Sequence, residues 1–110
     1  MSEFYILDGK VPVRASLKEW VRWFETAERH VADLRDGDIR VSTVFLGLDH
    51  AILGESPLLF ETMVFGGPLD GELDRCSTWE QAEKMHSEMA HRVTVAVLKE
   101  VAVLKEKEAP

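Results

Sequence analysis

The chain has 110 residues, of which 45% are hydrophobic and 30% charged, and 20 acidic residues against 13 basic ones give a net charge of −7. This length and composition suit one globular domain and exclude an intrinsically disordered chain. The acidic balance argues against nucleic-acid binding, which relies on Lys and Arg at the phosphates. Uninterrupted apolar runs are short, so no membrane-spanning segment is expected.

The cysteine content and the N-terminal residues indicate the cellular compartment of the protein. Cys76 is the single cysteine, which excludes an internal disulfide and suits a reducing cytoplasm. The segment Met1–Phe4 lacks the basic and apolar parts of a secretory signal. We therefore expect a protein of the cytoplasm, and no cofactor is expected.

The first predicted element is a strand or hairpin at Phe4–Val13, with Asp8-Gly9 as its turn and Pro12 suited to a sheet edge. A helix follows, opened by the capping box Ser16–Glu19 and expected to end at Gly37. Apolar residues at spacings of three and four define its buried face. They are Leu17, Trp20, Val21, Phe24, Ala27, Val31 and Leu34.

A central β-hairpin is predicted from Ile39–Leu46 and Leu58–Phe65, which are rich in β-branched and aromatic residues. The connection over residues 47–57 is long for a hairpin and is therefore a candidate functional loop. The two-residue period places Glu61 among apolar side chains, where its carboxylate needs a sheet edge or a partner.

A second helix is predicted after the glycine-rich segment 66–72, opened by another capping box, Ser77–Glu80. Its apolar face includes His86, which we expect to be a satisfied core or interface residue rather than a catalyst. A six-residue duplication follows, Val95–Glu100 and Val101–Glu106. Its β-branched residues also suit a strand, but its Ala, Leu, Lys and Glu content favours a helix. The apolar positions of this helix form a possible dimer seam.

Together these elements predict an α+β fold. The N-terminal strand or hairpin and the central hairpin make a small antiparallel sheet, and the two capped helices pack on one of its faces. Residues 1–92 are expected to form one domain, and residues 93–110 a C-terminal helical extension.

No catalytic or metal-binding motif is complete in this sequence. The acidic alternation within residues 70–74 resembles the opening of a calcium loop, but Arg75 and Gln81 stand where Gly and Glu are required. Cys76 precedes a helix N-terminus, yet no histidine accompanies it, so we expect an inert thiol. No metal site is predicted.

One set of polar and aromatic residues falls on loops and strand ends around the central hairpin. Its members are Asp49, His50, Glu61, Thr62, Gly66, Gly67 and Trp79. If they converge, they form a small polar pocket with an aromatic wall, suited to a small polar ligand. The alternative is that they are separate turn and cap residues. A catalytic version uses His50 as a base oriented by Asp49 or Glu61, although no Ser or Cys nucleophile accompanies it.

Three segments carry a resemblance: Trp20–Ala27, Ser42–His50, and Leu58–Gly67 running on to Ser77–Trp79. Together they resemble a family of small accessory proteins of tailed bacteriophages and prophages. The resemblance implies a protein that binds a host protein or a small signalling molecule and so inhibits a host process, for example antiviral defence. The alternatives are a small hydrolase-like enzyme that uses His50, and a structural or oligomerising module. A homodimer is expected.

Overall fold

The computed structural model describes residues 3–51 and 56–108. Within them the chain forms six strands and two helices, so the predicted α+β class is confirmed. The elements are β1 (Phe4–Asp8), β2 (Val11–Ala15), α1 (Leu17–Thr26), β3 (His30–Asp36), β4 (Ile39–Phe45), β5 (Phe60–Phe65), β6 (Leu73–Cys76) and α2 (Trp79–Glu108). None of the helices in this part of the chain combines the length and apolar composition needed to span a membrane.

The N-terminal hairpin and the first capping box are as predicted. Strands β1 and β2 are antiparallel and joined by a two-residue turn, in which Gly9 has φ 63°. Ser16 Oγ accepts a hydrogen bond from the Glu19 N–H at 3.2 Å, and the Glu19 carboxylate accepts the Ser16 N–H at 3.0 Å. Helix α1 packs on this hairpin. The hairpin forms its own two-stranded sheet, and its Tyr5 N–H donates to the carbonyl oxygen of Gly47, two residues beyond β4, at 2.9 Å.

The predicted length of the first helix was wrong. Helix α1 ends at Thr26, and the residues expected in its last turns form strand β3 instead. Strand β3 pairs with β4 through a two-residue turn, since Asp36 lies opposite Ile39. Gly37, with φ 58°, belongs to this turn and does not end a helix.

The larger sheet has the strand order β3-β4-β5-β6, with every neighbouring pair antiparallel. The two predicted central strands are confirmed as β4 and β5. Alternate residues of β4 and β5 are buried beneath α2, as the two-residue period requires. They pack against the buried side of α2, formed by Ala82, Met85, Met89 and Val93.

The cap of helix α2 lies one residue later than predicted. Thr78, not Ser77, occupies the cap position: its Oγ1 accepts the Gln81 N–H at 3.1 Å, and Gln81 Oε1 accepts the Thr78 N–H at 3.2 Å. The helix then runs for 30 residues without a break, about 45 Å at 1.5 Å per residue. It passes the expected domain boundary at Arg92, and Val93 beyond it is only 6% exposed.

Candidate functional site

The residues singled out by sequence do not form one pocket. Asp49 organises the loop before β5: its carboxylate accepts the N–H of Ala51 at 2.8 Å and of Leu58 at 3.0 Å. His50 is exposed, and its own N–H donates to Leu58 O at 3.1 Å. The carboxylate beside His50 is therefore engaged with backbone groups. Ile52 to Glu55, in the same predicted loop, lie outside the described residues.

Glu61 and Thr62 lie on opposite faces of β5. Glu61 points away from α2 and accepts a hydrogen bond from Arg75 Nε at 3.0 Å, which supplies the partner that a partly buried carboxylate needs. Thr62 points toward α2 and is fully buried, with its Oγ1 2.5 Å from that of Thr43. Neighbouring residues of a strand cannot line the same face, so these two do not share a ligand site there.

His86 completes this buried polar chain beneath α2. Its Nδ1 lies 2.7 Å from Thr43 Oγ1, so the imidazole is satisfied within the interface between helix and sheet. Burial lowers the pKa of His86 below its ordinary value, and the carboxylate of Asp33 opposes part of that effect. The neutral imidazole thus serves as a hydrogen-bonding core residue.

Gly66 and Gly67 follow the far end of β5, about 20 Å from its start at 3.3 Å per residue. Both have positive φ, 80° and 73°. A Cβ on Gly66 would collide with the carbonyl oxygen of Asp38, and one on Gly67 would lie 2.7 Å from Ile39 Cδ1. Both glycines are favoured by their positive φ, and Gly66 also by the close approach of the Asp38 backbone.

Trp79, the first residue of α2, packs its ring edge-on against Phe60 with 6.2 Å between centroids. The Lys10 ammonium lies 5.7 Å from the Trp79 ring. Trp79 therefore covers one end of the core. Of the two alternatives left open by the sequence, the seven residues follow the second: strand alternation and strand length separate them by face and by end.

The structure contains a different candidate, a cleft of about 390 Å³ between β6 and α2 that is open to solvent. We call it the β6–α2 cleft. Strand β6, helix α2 and the end of the loop before β5 all contribute to its walls. The lining residues are Leu58, Asp74, Arg75, Cys76, Ser77, Gln81, Lys84, Met85 and Glu88.

Charges of both signs line this cleft. Lys84 and Glu88 lie one helical turn apart with 3.9 Å between Nζ and Oε1, and both are well exposed. Such an exposed pair contributes little to stability, so either side chain can turn to an incoming group at small cost. Gln81 is held in place because its Oε1 accepts the Ser77 N–H at 3.0 Å. Leu58 and Met85 add an apolar part to the same walls.

The cleft contains no activated nucleophile among the described residues. Burial raises the pKa of the Cys76 thiol to about 11, so the thiolate is scarce at neutral pH. Across residues 3–51 and 56–108, no three His, Cys, Asp or Glu side chains are arranged to hold a metal ion.

Sequence reasoning missed this cleft because β6 was not predicted. Leu73–Cys76 is short and carries two charges, so nothing in its composition favours a strand. The available signal was the spacing of Gln81, Lys84 and Glu88, which places three polar side chains on one side of a helix. Comparison of the chain with protein-family models, with curated proteins and with solved structures found no match.

Proposed function

We propose that this chain is a phage accessory protein that binds a host protein through the β6–α2 cleft and thereby inhibits a host process. The observation that carries the proposal is the cleft itself. The cleft has a volume of about 390 Å³, is open to solvent, and extends along a strand and a helix. The resemblance of three sequence segments to phage accessory proteins supplies the biological context.

Binding is favoured over hydrolysis by the engagement of the candidate acid–base groups. Asp49 accepts two backbone N–H groups and Glu61 is paired with Arg75, so neither is free to orient His50. A nucleotide or ester hydrolysis that His50→Ala abolishes would contradict the proposal.

A protein partner is favoured over a small signalling molecule by the shape and charge of the cleft. It is open to solvent, whereas sites for small molecules enclose most of the ligand surface. Lys84 and Glu88 present opposite charges within one helical turn, which suits the mixed polar surface of a protein. The partner is expected to place an acidic group near Lys84 and a basic group near Glu88.

The test is co-purification from bacterial host cells that express the tagged full-length chain, followed by measurement of affinity with the purified partner. Lys84→Glu is expected to weaken that affinity about tenfold, because it places like charges at 84 and 88 and removes the cation. Lys99→Glu is the matched control, since Lys99 is an exposed lysine of α2 outside the cleft. Equal weakening by both variants, or no partner at all, would contradict the proposal.

A second candidate, an oligomerising module, is favoured by the far end of α2. Residues 98–108 of this helix are all exposed, and large apolar side chains are among them. The radius of gyration is 17.3 Å, against about 13 Å for a compact domain of this length. The exposed apolar residues are Leu98, Val101, Val103 and Leu104.

A further inference from the structure

Strand β6 lies at the edge of the four-stranded sheet and pairs with β5 on one side. Its inward groups are identified by two hydrogen bonds: the carbonyl oxygens of Glu72 and Cys76 accept the N–H of Val64 and Leu59, both at 3.0 Å. Backbone groups alternate in direction along an antiparallel strand. Those of Leu73 and Arg75 therefore point away from β5, toward the free edge.

The outward N–H of Arg75 is bonded to the neighbouring Asp74 carboxylate at 2.9 Å. Asp74 is exposed and also lines the β6–α2 cleft. A carboxylate on an outward backbone donor blunts a sheet edge against unwanted pairing. An incoming strand can displace the Asp74 carboxylate from the Arg75 N–H, because the exposed carboxylate is then hydrated by water.

We propose that an extended peptide segment of the partner adds to β6 as a fifth strand of the sheet, lying in the β6–α2 cleft. The proposal rests on the proposed function and specifies its binding mode. The peptide backbone would pair with the outward groups of Leu73 and Arg75, displacing Asp74. Alternate side chains would reach the apolar contact with Leu58 and Met85, where a hydrophobic residue fits.

The opposite edge of the sheet is less suited to this role. Strand β3 has a register irregularity between His30 and Ala32, and such bulges interrupt the regular row of backbone groups that a new strand requires. The cleft between this edge and α2 is also smaller, about 180 Å³, and mostly apolar. Peptide pairing is therefore assigned to β6.

The experiment selects short unconstrained peptides from a random display library on the full-length chain and measures their affinity by fluorescence anisotropy. Each amide of the best peptide is then N-methylated in turn, which removes one backbone donor and leaves the protein unchanged. Affinity is expected to fall about tenfold at alternate amides and much less at those between them, since only every second residue faces β6. Failure to enrich any peptide, or losses with a three- or four-residue period, would overturn the proposal.

Two pairs of protein variants test the same contacts from the other side. Leu73→Pro removes an outward N–H that the sheet does not use, so it is expected to bind about tenfold more weakly than Leu73→Ala. Asp74→Ala frees the Arg75 N–H and is expected to strengthen binding several-fold, whereas Asp8→Ala, at an exposed position outside the cleft, leaves it unchanged. Circular dichroism confirms that each variant is folded.

The outcomes separate this inference from the proposed function. A host protein that binds Leu73→Pro and Leu73→Ala equally would overturn strand addition and leave the proposed function standing. Peptides that bind with alternating N-methyl sensitivity, in the absence of any host partner, would support strand addition and contradict the proposed function.

Discussion

The imidazole Nδ1 of His86 lies 2.7 Å from the Oγ1 of Thr43, and this contact joins α2 to the centre of the sheet. Thr43 Oγ1 also lies 2.5 Å from Thr62 Oγ1, so three polar groups form one chain across the interface. Both threonines are fully buried, and loss of any partner would leave a polar atom unsatisfied. These residues therefore fix the position of α2 on β4 and β5.

The stability of the protein is expected to fall as the pH drops through the ordinary pKa of histidine. Burial lowers the pKa of His86 below 6.5 in the folded chain, so below that pH the unfolded chain binds more protons. The free energy of unfolding then decreases with falling pH. Urea denaturation between about pH 7.5 and 5.5 measures this decrease. His86→Gln should reduce the dependence of the unfolding free energy on pH, whereas His91→Gln, at an exposed position, should leave it unchanged. If the pH dependence is the same in His86→Gln as in the parent, another group is responsible.

The sequence predicted the β1–β2 and β4–β5 pairs and the α+β class, where local signals agree with the fold, and it failed at β3, where two signals compete. The residues Val31 and Leu34 continue a helical spacing, and glycine is a common residue at the end of a helix. The sequence therefore predicts a helix up to Gly37, where the structure has strand β3. The same Gly37 after Asp36 is also a hairpin turn signal. Pairing of His30–Asp36 with β4 decides between them, and such pairing across strands cannot be read from one segment.

The candidate site was less accessible to sequence reasoning than the fold. The sequence marks Asp49, Glu61 and Gly66 as candidate site residues, but each has a structural role. Asp49 holds its loop, Glu61 pairs with Arg75, and Gly66 lies against the backbone of Asp38. Their separation depends on which way each side chain of β5 points. The β6–α2 cleft depends on β6, which has little strand propensity of its own and forms by pairing with β5.

Gly66 is expected to be a structural residue, and a second glycine gives a matched comparison. Gly66 and Gly71 have similar positive φ, 80° and 86°, so alanine is strained at both, by about 1–2 kcal/mol. Only at Gly66 would the added Cβ meet the backbone of Asp38; at Gly71 it meets nothing within 4 Å among the described residues. Thermal and urea unfolding should show Gly66→Ala to be the more destabilising by about 1–3 kcal/mol. Equal losses of unfolding free energy in Gly66→Ala and Gly71→Ala would contradict the close approach of Gly66 to the Asp38 backbone.

Asp49 is expected to stabilise the loop rather than to act in catalysis. Asp49→Ala removes the acceptor of the Ala51 and Leu58 N–H groups and should cost about 1–3 kcal/mol of unfolding free energy. His50→Ala changes an exposed side chain and should stay within about 0.5 kcal/mol of the parent. Urea denaturation compares the two variants. Stability unchanged in Asp49→Ala would mean that the loop is held by other contacts.

The far end of α2 is expected to mediate a homodimer. In an antiparallel pair of these helices centred between residues 102 and 103, Val101 lies at the level of the partner's Leu104. Glu100 and Lys105 flank this apolar contact on either side of the helix, so pairing of two copies brings opposite charges together. The duplicated segment thus supplies both an apolar contact and complementary charges for the pairing of two copies.

Analytical ultracentrifugation of the full chain and of a chain ending at Lys99 tests this expectation. The shorter chain keeps Val93 and Val97, which pack against the sheet, and loses most of the exposed apolar residues. It should be a folded monomer at concentrations where the full chain is a dimer. Leu104→Lys should have the same effect, whereas Glu106→Lys, about 200° around the helix from it, should weaken the dimer less. If the full chain stays monomeric at every concentration, the oligomerising module is rejected, and the exposed end of α2 is then expected to bind a different protein.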